Sequence, residues 1–281
     1  MADHLNAPTD PSPARVEALS YFFPAHNEVE NIEALVEEAL ADLGAIAERF
    51  EIIAVDDGSS DGTGEMAERL ATAHPDVVRA VHHPRNLGYG AAVRSGLAAA
   101  RYPLICFTDG DRQFRVADLA RLLARLGRAG DEGGPDVVAG FRIKRADPAL
   151  RLAYARIYRA CLRLFFGLDV RDPDCACKLF RREALEGISA ESGGAFLSAE
   201  LLIKIEARRR TIAEEGVPHY PRTAGQASGA DPRVVARAVR DFWALRIRLW
   251  TNKTAALKRG QPVIDPDPEH TFQRRSEQEG S

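Results

Sequence analysis

Three short apolar runs in the first 113 residues each stop in a cluster of polar residues, and this repeated punctuation constrains the fold more than any other feature of the chain. Ala18–Phe23 runs into Pro24-Ala25-His26-Asn27-Glu28, Glu51–Val55 into Asp56-Asp57-Gly58-Ser59-Ser60-Asp61-Gly62-Thr63, and Leu104–Phe107 into Thr108-Asp109-Gly110-Asp111-Arg112-Gln113. Between them the spacing is helical. Ile32, Leu35, Val36, Ala39, Leu40 and Leu43 recur as one buried stripe, with Asn27 or Asn31 expected to cap it. A second helix is expected from Thr63 to about Ala73, a strand at Val77–His82, a helix at Gly88–Arg101 and a strand at Pro103–Thr108. Short buried-type strands alternating with helices over short connections predict a doubly wound, mostly parallel α/β sheet flanked by helices. Such sheets bind ligands at the carboxyl ends of their strands, so the three polar clusters should share one edge.

Asp109 and Asp111 are two residues apart, and extended chain directs such side chains to the same face. Two carboxylates at a strand end suit a hard divalent cation held together with substrate phosphates, and Gln113 offers a neutral oxygen nearby. An Asp-Gly-Asp turn is the plainer alternative for these residues taken alone. No Gly-x-Gly-x-x-Gly follows the first strand and no Gly-Lys-Ser/Thr loop occurs, so neither the dinucleotide fingerprint nor the P-loop is present. Gly88-Tyr89-Gly90 is the nearest approach.

The second half reads as a helix at Val116–Arg128, a Gly-rich loop at Gly130–Pro135, a strand at Asp136–Ala139, a basic helix at Leu150–Phe166, a Cys175–Arg182 segment, a helix at Ser198–Arg210 and a strand near Thr211–Pro218. The expected layout is a flexible leader 1–17, a single domain 18–230, a basic amphipathic helix 231–259 and a disordered tail 260–281. No run of about 18 uncharged residues occurs, and the N-terminus lacks a basic start followed by an apolar run, which predicts a soluble, unexported chain. Cys-Ala-Cys at 175–177 lacks the second pair a zinc site requires, so the four cysteines are expected to be reduced and buried. Phe141–Arg163 and Asp231–Arg259 each carry a net +6 in a chain of net −3, which suggests an anionic partner. In the second of these segments Val235, Ala238, Val239, Phe242, Leu245 and Leu249 follow helical spacing, Trp243, Ile247 and Trp250 form another stripe, and Arg233, Arg237, Arg240 and Arg248 fall largely elsewhere. A basic helix with Trp suits a lipid interface.

The ordered set Pro24–Glu28, Val55–Thr63, Asn86-Leu87-Gly88 and Asp109–Gln113 resembles the motifs of family 2 glycosyltransferases of GT-A fold, in particular the dolichyl- or polyprenyl-phosphate mannosyltransferases, over about Ser20 to Gly229. The resemblance implies that Pro24, His26, Glu28, Val55 and Asp57 line the base and ribose pocket; for Asp57 a loop cap is the alternative. It implies that Asp109, Gly110, Asp111 and Gln113 hold the diphosphate with Mg²⁺ or Mn²⁺, the cation being bound by Asp109, Asp111 and Gln113. Arg142 and Arg151 match arginines beside the transferred sugar and the acceptor phosphate. The family's serine four residues beyond the second arginine falls here on Ala155, so this phosphate contact is missing or is supplied by Tyr154. Asp172 with Cys175–Arg182 resembles an Asp-x-x-Cys-Gly-Phe-Lys stretch, and Pro221–Ser228 resembles an Arg-x-x-Gly-x-Ser loop whose Arg222 closes over the diphosphate. Glu200 lies where relatives place an acceptor-side acid; a helix-terminal acid favoured by the dipole is the alternative.

Together these readings predict metal-dependent, inverting transfer of a hexose, mannose or glucose, from GDP-mannose or UDP-glucose to a polyprenyl or dolichyl phosphate. The enzyme would be peripheral, at the inner, cytoplasmic face of a membrane, and no nucleic acid partner is expected. Two alternatives stand beside this one: the same fold acting on a polysaccharide or small-molecule hydroxyl, and a non-catalytic nucleotide-sugar-binding protein.

Overall fold

The computed structural model describes residues 15–127, 134–143, 149–222, 224 and 232–259, with backbone alone at 149–153, 232–233 and 252–259. Most of the expected leader, the tail after Arg259 and most of the Gly130–Pro135 loop lie outside the described residues. The first half alternates β1 (Val16–Ala25), α1 (Val29–Ile46), β2 (Ala47–Asp56), α2 (Thr63–Ala73), β3 (Val78–His82), α3 (Tyr89–Ala99) and β4 (Leu104–Phe107). A short 3-10 turn at Val116–Asp118 leads into α4 (Leu119–Leu126), followed by β5 (Val137–Arg142), α5 (Ala149–Phe166), β6 (Lys178–Arg181), α6 (Arg182–Leu185), α7 (Leu197–Ala207), β7 (Ile212–Val217) and α8 (Pro232–Arg259). Among the described residues one sheet of seven strands runs β3-β2-β1-β4-β6-β5-β7. All neighbouring pairs are parallel except those made by β6, which is antiparallel to both β4 and β5.

The helical stripe of α1 is realised: Ile32, Leu35, Val36, Ala39 and Leu43 are all buried. Strands β1 and β2 start earlier than their apolar runs. Val16 pairs with Ala47, and the Arg15 guanidinium donates to the Ala47 carbonyl at 2.6 Å, so backbone pairing extends over Glu48 and Arg49, whose side chains are exposed. Neither Asn27 nor Asn31 caps α1. Asn27 adopts a left-handed backbone (φ 56°) and accepts from the Ser60 N–H, while the first turn is satisfied across the chain, Glu28 N–H by the Thr63 hydroxyl and Val29 N–H by Asp61.

The sheet centre is aromatic, with Phe22, Phe107 and Phe180 stacked on neighbouring strands at 5.0 and 6.2 Å between ring centroids. Helix α3 packs tightly on this face, because a Cβ on Gly96 would lie 2.1 Å from the Phe22 ring. All four cysteines are free, and burial pushes the Cys175 thiol up to about 12.

Helices α5 and α8 are joined by edge-to-face contacts of Phe165 and Phe166 with Phe242 and Trp243. The division of α8 differs from the sequence expectation. Ala238, Phe242, Leu245 and Leu249 face inward, whereas Val235 and Val239 join Trp243, Ile247 and Trp250 on an exposed stripe. Among the described residues no helix is long and apolar enough to cross a membrane.

Candidate functional site

The three polar clusters do meet at one edge. Beyond β4 the chain turns through Asp109, Gly110 and Asp111, and the turn is pressed against β1: a Cβ on Gly110 would meet the Pro24 carbonyl at 2.7 Å, which explains the glycine. Burial, and then the Asp111 charge, push the Asp109 carboxyl up to about 7, opposed by a hydrogen bond from the Tyr89 hydroxyl and by the positive charges of Lys178 and Arg142. Burial also raises Asp111, which accepts from the Gln113 N–H at 3.1 Å. Two neighbouring carboxylates that resist ionising together are suited to a divalent cation, which would relieve both. Among the described residues no three His, Cys, Asp or Glu side chains gather as a ready-made metal cage. The donors therefore fit a cation that keeps waters and takes substrate phosphate oxygens.

Arg222 reaches this turn from the other side. Its guanidinium bonds Glu28, lies 3.4 Å from Asp111 Oδ2 and donates from Nε to the Ala224 carbonyl at 2.7 Å. The segment leading to it is tied down by Gln113, whose backbone carbonyl accepts from Tyr220 N–H at 2.9 Å and whose side-chain amide donates to the Tyr220 carbonyl at 3.1 Å. Gln113 thus anchors the Arg222 segment through its backbone carbonyl and its side-chain nitrogen, not through the side-chain oxygen by which it is expected to meet a cation.

Three of the residues expected around the base are buried. Val55 is fully buried in β2, and Pro24, its partner in register on β1, is buried beside it. Asp57 serves as the loop cap: His83 donates to Oδ1 at 2.7 Å, Leu87 N–H to Oδ1 at 2.9 Å and Gly88 N–H to Oδ2 at 2.8 Å. His26 is exposed at the edge with its ring on the Asp57 carbonyl at 3.1 Å. Glu28 is engaged with Arg222 and with Asn31, which donates to it at 2.6 Å.

On the opposite side Arg142, at the end of β5, is gripped by Asp172 at 2.6 and 2.8 Å. Burial works against its charge, but the Asp172 pair more than offsets this and holds the guanidinium above its ordinary pKa. Lys178, fully buried on β6, donates to the carbonyls of Pro173 at 3.0 Å and of Cys175, and so shapes the 172–175 loop. The Arg151 side chain lies outside the described residues. Tyr154 is exposed and Ala155 half-buried on α5. Glu200 is fully buried, accepting from Glu191 and Ser192 N–H groups and pairing with Lys204 at 3.1 Å. Tyr89 is the residue to which sequence reasoning gives no role, and Lys178 enters it only as a position in the Asp-x-x-Cys-Gly-Phe-Lys likeness. The glycines flanking Tyr89 drew attention to the loop, but nothing in the pattern pointed its hydroxyl at Asp109.

The family model described as Glycosyl transferase family 2 matches residues 20–189. The chain is 32% identical to Glycosyltransferase AglD of Haloferax volcanii over 232 residues, covering 78% of this chain and 36% of that protein. It is 30% identical to an undecaprenyl-phosphate 4-deoxy-4-formamido-L-arabinose transferase of Serratia proteamaculans (75% of this chain, 63% of the other). A dolichyl-phosphate beta-glucosyltransferase, ALG5C, of Trichomonas vaginalis is 29% identical (74% and 65%). The chain thus spans only part of each of these relatives. Among solved structures, glucosyl-3-phosphoglycerate synthase from Mycobacterium tuberculosis with phosphoglyceric acid aligns with a TM-score of 0.61 at 24% identity over 80% of both chains. The same enzyme with Mn²⁺, UDP and glucosyl-3-phosphoglycerate aligns at 0.57 and 21% identity over 88% of this chain and 81% of that one. At such identity the likeness speaks for the GT-A fold.

Proposed function

Because the chain belongs to glycosyltransferase family 2, we propose that it transfers a sugar from a nucleoside diphosphate to a polyprenyl phosphate at a membrane surface. The observation that carries the reading is the convergence of Asp109, Asp111, Arg222 and Arg142 on one sheet edge, a carboxylate pair flanked by guanidinium groups on both sides. Asp109 and Asp111 would hold Mg²⁺ or Mn²⁺, which when bound neutralises the charge that develops on the departing diphosphate. Arg222 is at hand for the diphosphate itself, since guanidinium recognises phosphate oxygens bidentately. Arg142, pre-oriented by Asp172, is the group for the acceptor phosphate or the sugar.

A phosphate acceptor is already ionised and needs no general base. The burial of Glu200, sealed by two backbone N–H groups and Lys204, fits that chemistry better than a hydroxyl acceptor, whose proton a carboxylate would have to take. For the donor, UDP in the structural neighbours and the glucose and arabinose derivatives in the relatives' names weight the reading toward a UDP-linked or similar sugar. GDP-mannose is left without support.

The surface supports a lipid-borne acceptor. Among the described residues eight of the ten large hydrophobic side chains left exposed stand on α5 and α8: Tyr154, Ile157 and Leu164 on the first, Val235, Val239, Trp243, Ile247 and Trp250 on the second. Apolar stripes flanked by arginines are the composition of a helix pair that rests in a lipid interface, which supports peripheral association with a membrane surface. The test is incubation with tritiated UDP-glucose, Mn²⁺ and undecaprenyl phosphate in vesicles, followed by organic extraction. Label in the organic phase is the expected result; label in a water-soluble product would move the acceptor to a hydroxyl, and no transfer from any nucleotide sugar would leave a binding protein.

A further inference from the structure

Each carboxylate oxygen of Asp111 has one partner in this structure. Oδ1 accepts from the Gln113 N–H at 3.1 Å, and Oδ2 faces the Arg222 guanidinium at 3.4 Å. That guanidinium is held by more than Asp111: it also bonds Glu28, and its Nε is satisfied by the Ala224 carbonyl, which Asn31 approaches at 3.4 Å. The approach to Arg222 is stapled to the residues directly after Asp111. Tyr220 and Gln113 exchange two hydrogen bonds, the Arg115 guanidinium lies 5.3 Å over the Tyr220 ring, and His219 meets Phe114 edge-on at 5.3 Å.

A divalent cation drawn to Asp111 meets the Arg222 guanidinium at the same carboxylate, and two positive centres on one buried carboxylate repel strongly. We propose that Arg222 and the divalent cation are alternative partners of Asp111, and that Gln113 is a positioning residue that keeps Arg222 over this carboxylate until the cation arrives. The proposal rests on the metal reading above and adds an order of events to it. Cation binding expels Arg222 from Asp111, and the guanidinium so released is the one free to take the diphosphate. Gripping the donor and binding the cation then become one event, coupled in both directions. In the resting protein Arg222 supplies the positive charge that the carboxylates require.

The experiment is a Mn²⁺ titration without nucleotide, followed by electron paramagnetic resonance of free Mn²⁺, on the full chain and on Arg222→Gln and Gln113→Ala. Melting curves establish that each variant is folded. Arg222→Gln should bind Mn²⁺ about threefold tighter or more, the scale of a partly buried ion pair removed from competition. Gln113→Ala should bind at least as tightly as the unaltered protein, whereas loss of a ligand, or of a group that orients one, would weaken binding about tenfold or more. Hydrogen exchange supplies the second readout: adding Mn²⁺ to the unaltered protein should lower protection at the Tyr220 amide, since its partner Gln113 carbonyl lets go when Arg222 leaves. Unchanged or weaker affinity in Arg222→Gln, weaker affinity in Gln113→Ala, or unchanged Tyr220 protection would each overturn the exchange while leaving the metal reading intact. Absence of Mn²⁺ binding to the unaltered protein even with UDP present would overturn both.

Discussion

Asp172 grips Arg142 through two nearly parallel bonds, Nε to Oδ2 at 2.6 Å and NH2 to Oδ1 at 2.8 Å, and so fixes the plane of the guanidinium at the end of β5. This fork-to-fork geometry cannot be reproduced by an ammonium group. Arg142→Lys is therefore expected to lower kcat/KM for the acceptor by about tenfold or more with little loss of fold. Asp172→Asn, which leaves a mostly buried guanidinium without its counter-charge, should cost about 2–4 kcal/mol in urea unfolding as well.

The raised Asp109 carboxyl makes cation binding and stability depend on pH. Its pKa in the folded protein, about 7, lies above the ordinary value of 3.8, so its contribution to stability is complete below the ordinary value and is lost as pH rises through about 7. A cation binds the ionised form and recovers the loss. Without cation the melting temperature should fall between about pH 5.5 and about pH 8, and the increase produced by saturating Mn²⁺ should be larger at the higher pH. A Mn²⁺-induced shift that is equal at both values would separate Asp109 from the cation site.

Gly96 tests the packing that sets the edge. A methyl group there would enter the Phe22 ring at 2.1 Å, so α3 must move off β1, carrying Tyr89 with it. Gly96→Ala should destabilise by about 1–3 kcal/mol in spite of the better helix former, the sign expected of overpacking and opposite to that of helix propensity.

Glu200→Gln separates structure from chemistry. The carboxylate holds two N–H groups and Lys204 in a fully buried setting, and its neutralisation removes the counter-charge of a buried lysine that also donates to the Ser189 carbonyl. Thermal stability should drop by about 1–3 kcal/mol while kcat per folded molecule stays within about twofold. A loss of about 10²-fold or more in kcat would restore Glu200 as a general base and argue for a hydroxyl acceptor.

The exposed stripe of α8 gives a membrane prediction. Ile247→Glu combined with Trp250→Glu places two acids on the apolar face without touching Phe242 or Leu245, which pack inward. Sedimentation with anionic vesicles should be reduced sharply by the pair of substitutions, and by salt in the unaltered protein, since each Arg near such a surface is worth about 1 kcal/mol. Equal sedimentation of the substituted protein would transfer membrane contact to another surface.

The edge itself was legible in the sequence because strand ends are marked by abrupt changes of character: Phe107 to Asp109 and Val55 to Asp57 are read without coordinates. The partners chosen within the edge were not. Asp57 looks like a ligand group in sequence and is a brace in the fold, because the N–H groups that claim it belong to Leu87 and Gly88, thirty residues further on. The spacing of Gln113 from Asp111 says nothing of Tyr220, to whose carbonyl its side-chain nitrogen donates and which no local pattern connects to it. On α8 the two apolar stripes were both visible, but Val235 and Val239 were assigned to the wrong one, since helical spacing alone does not say where the domain surface ends.

Strand β6 runs against its neighbours, so its entrance, with Asp172 and Lys178, opens where the parallel strands have their exits. The same reversal dictates a timetable for the nascent chain. Strands β1 to β4 can pair as they are made, but β5 emerges before β6 and β7, the strands it pairs with in the finished sheet. Until the chain has been extended through Arg181, the apolar residues Val137 and Val138 await their neighbour on β6, and Lys178, one of the two positive charges beside Asp109, is absent. Long-range closure of this kind is slow and exposes apolar surface while it waits. The half of the sheet that carries the carboxylates is therefore assembled early, and it becomes a working edge only when the one reversed strand slides into the gap.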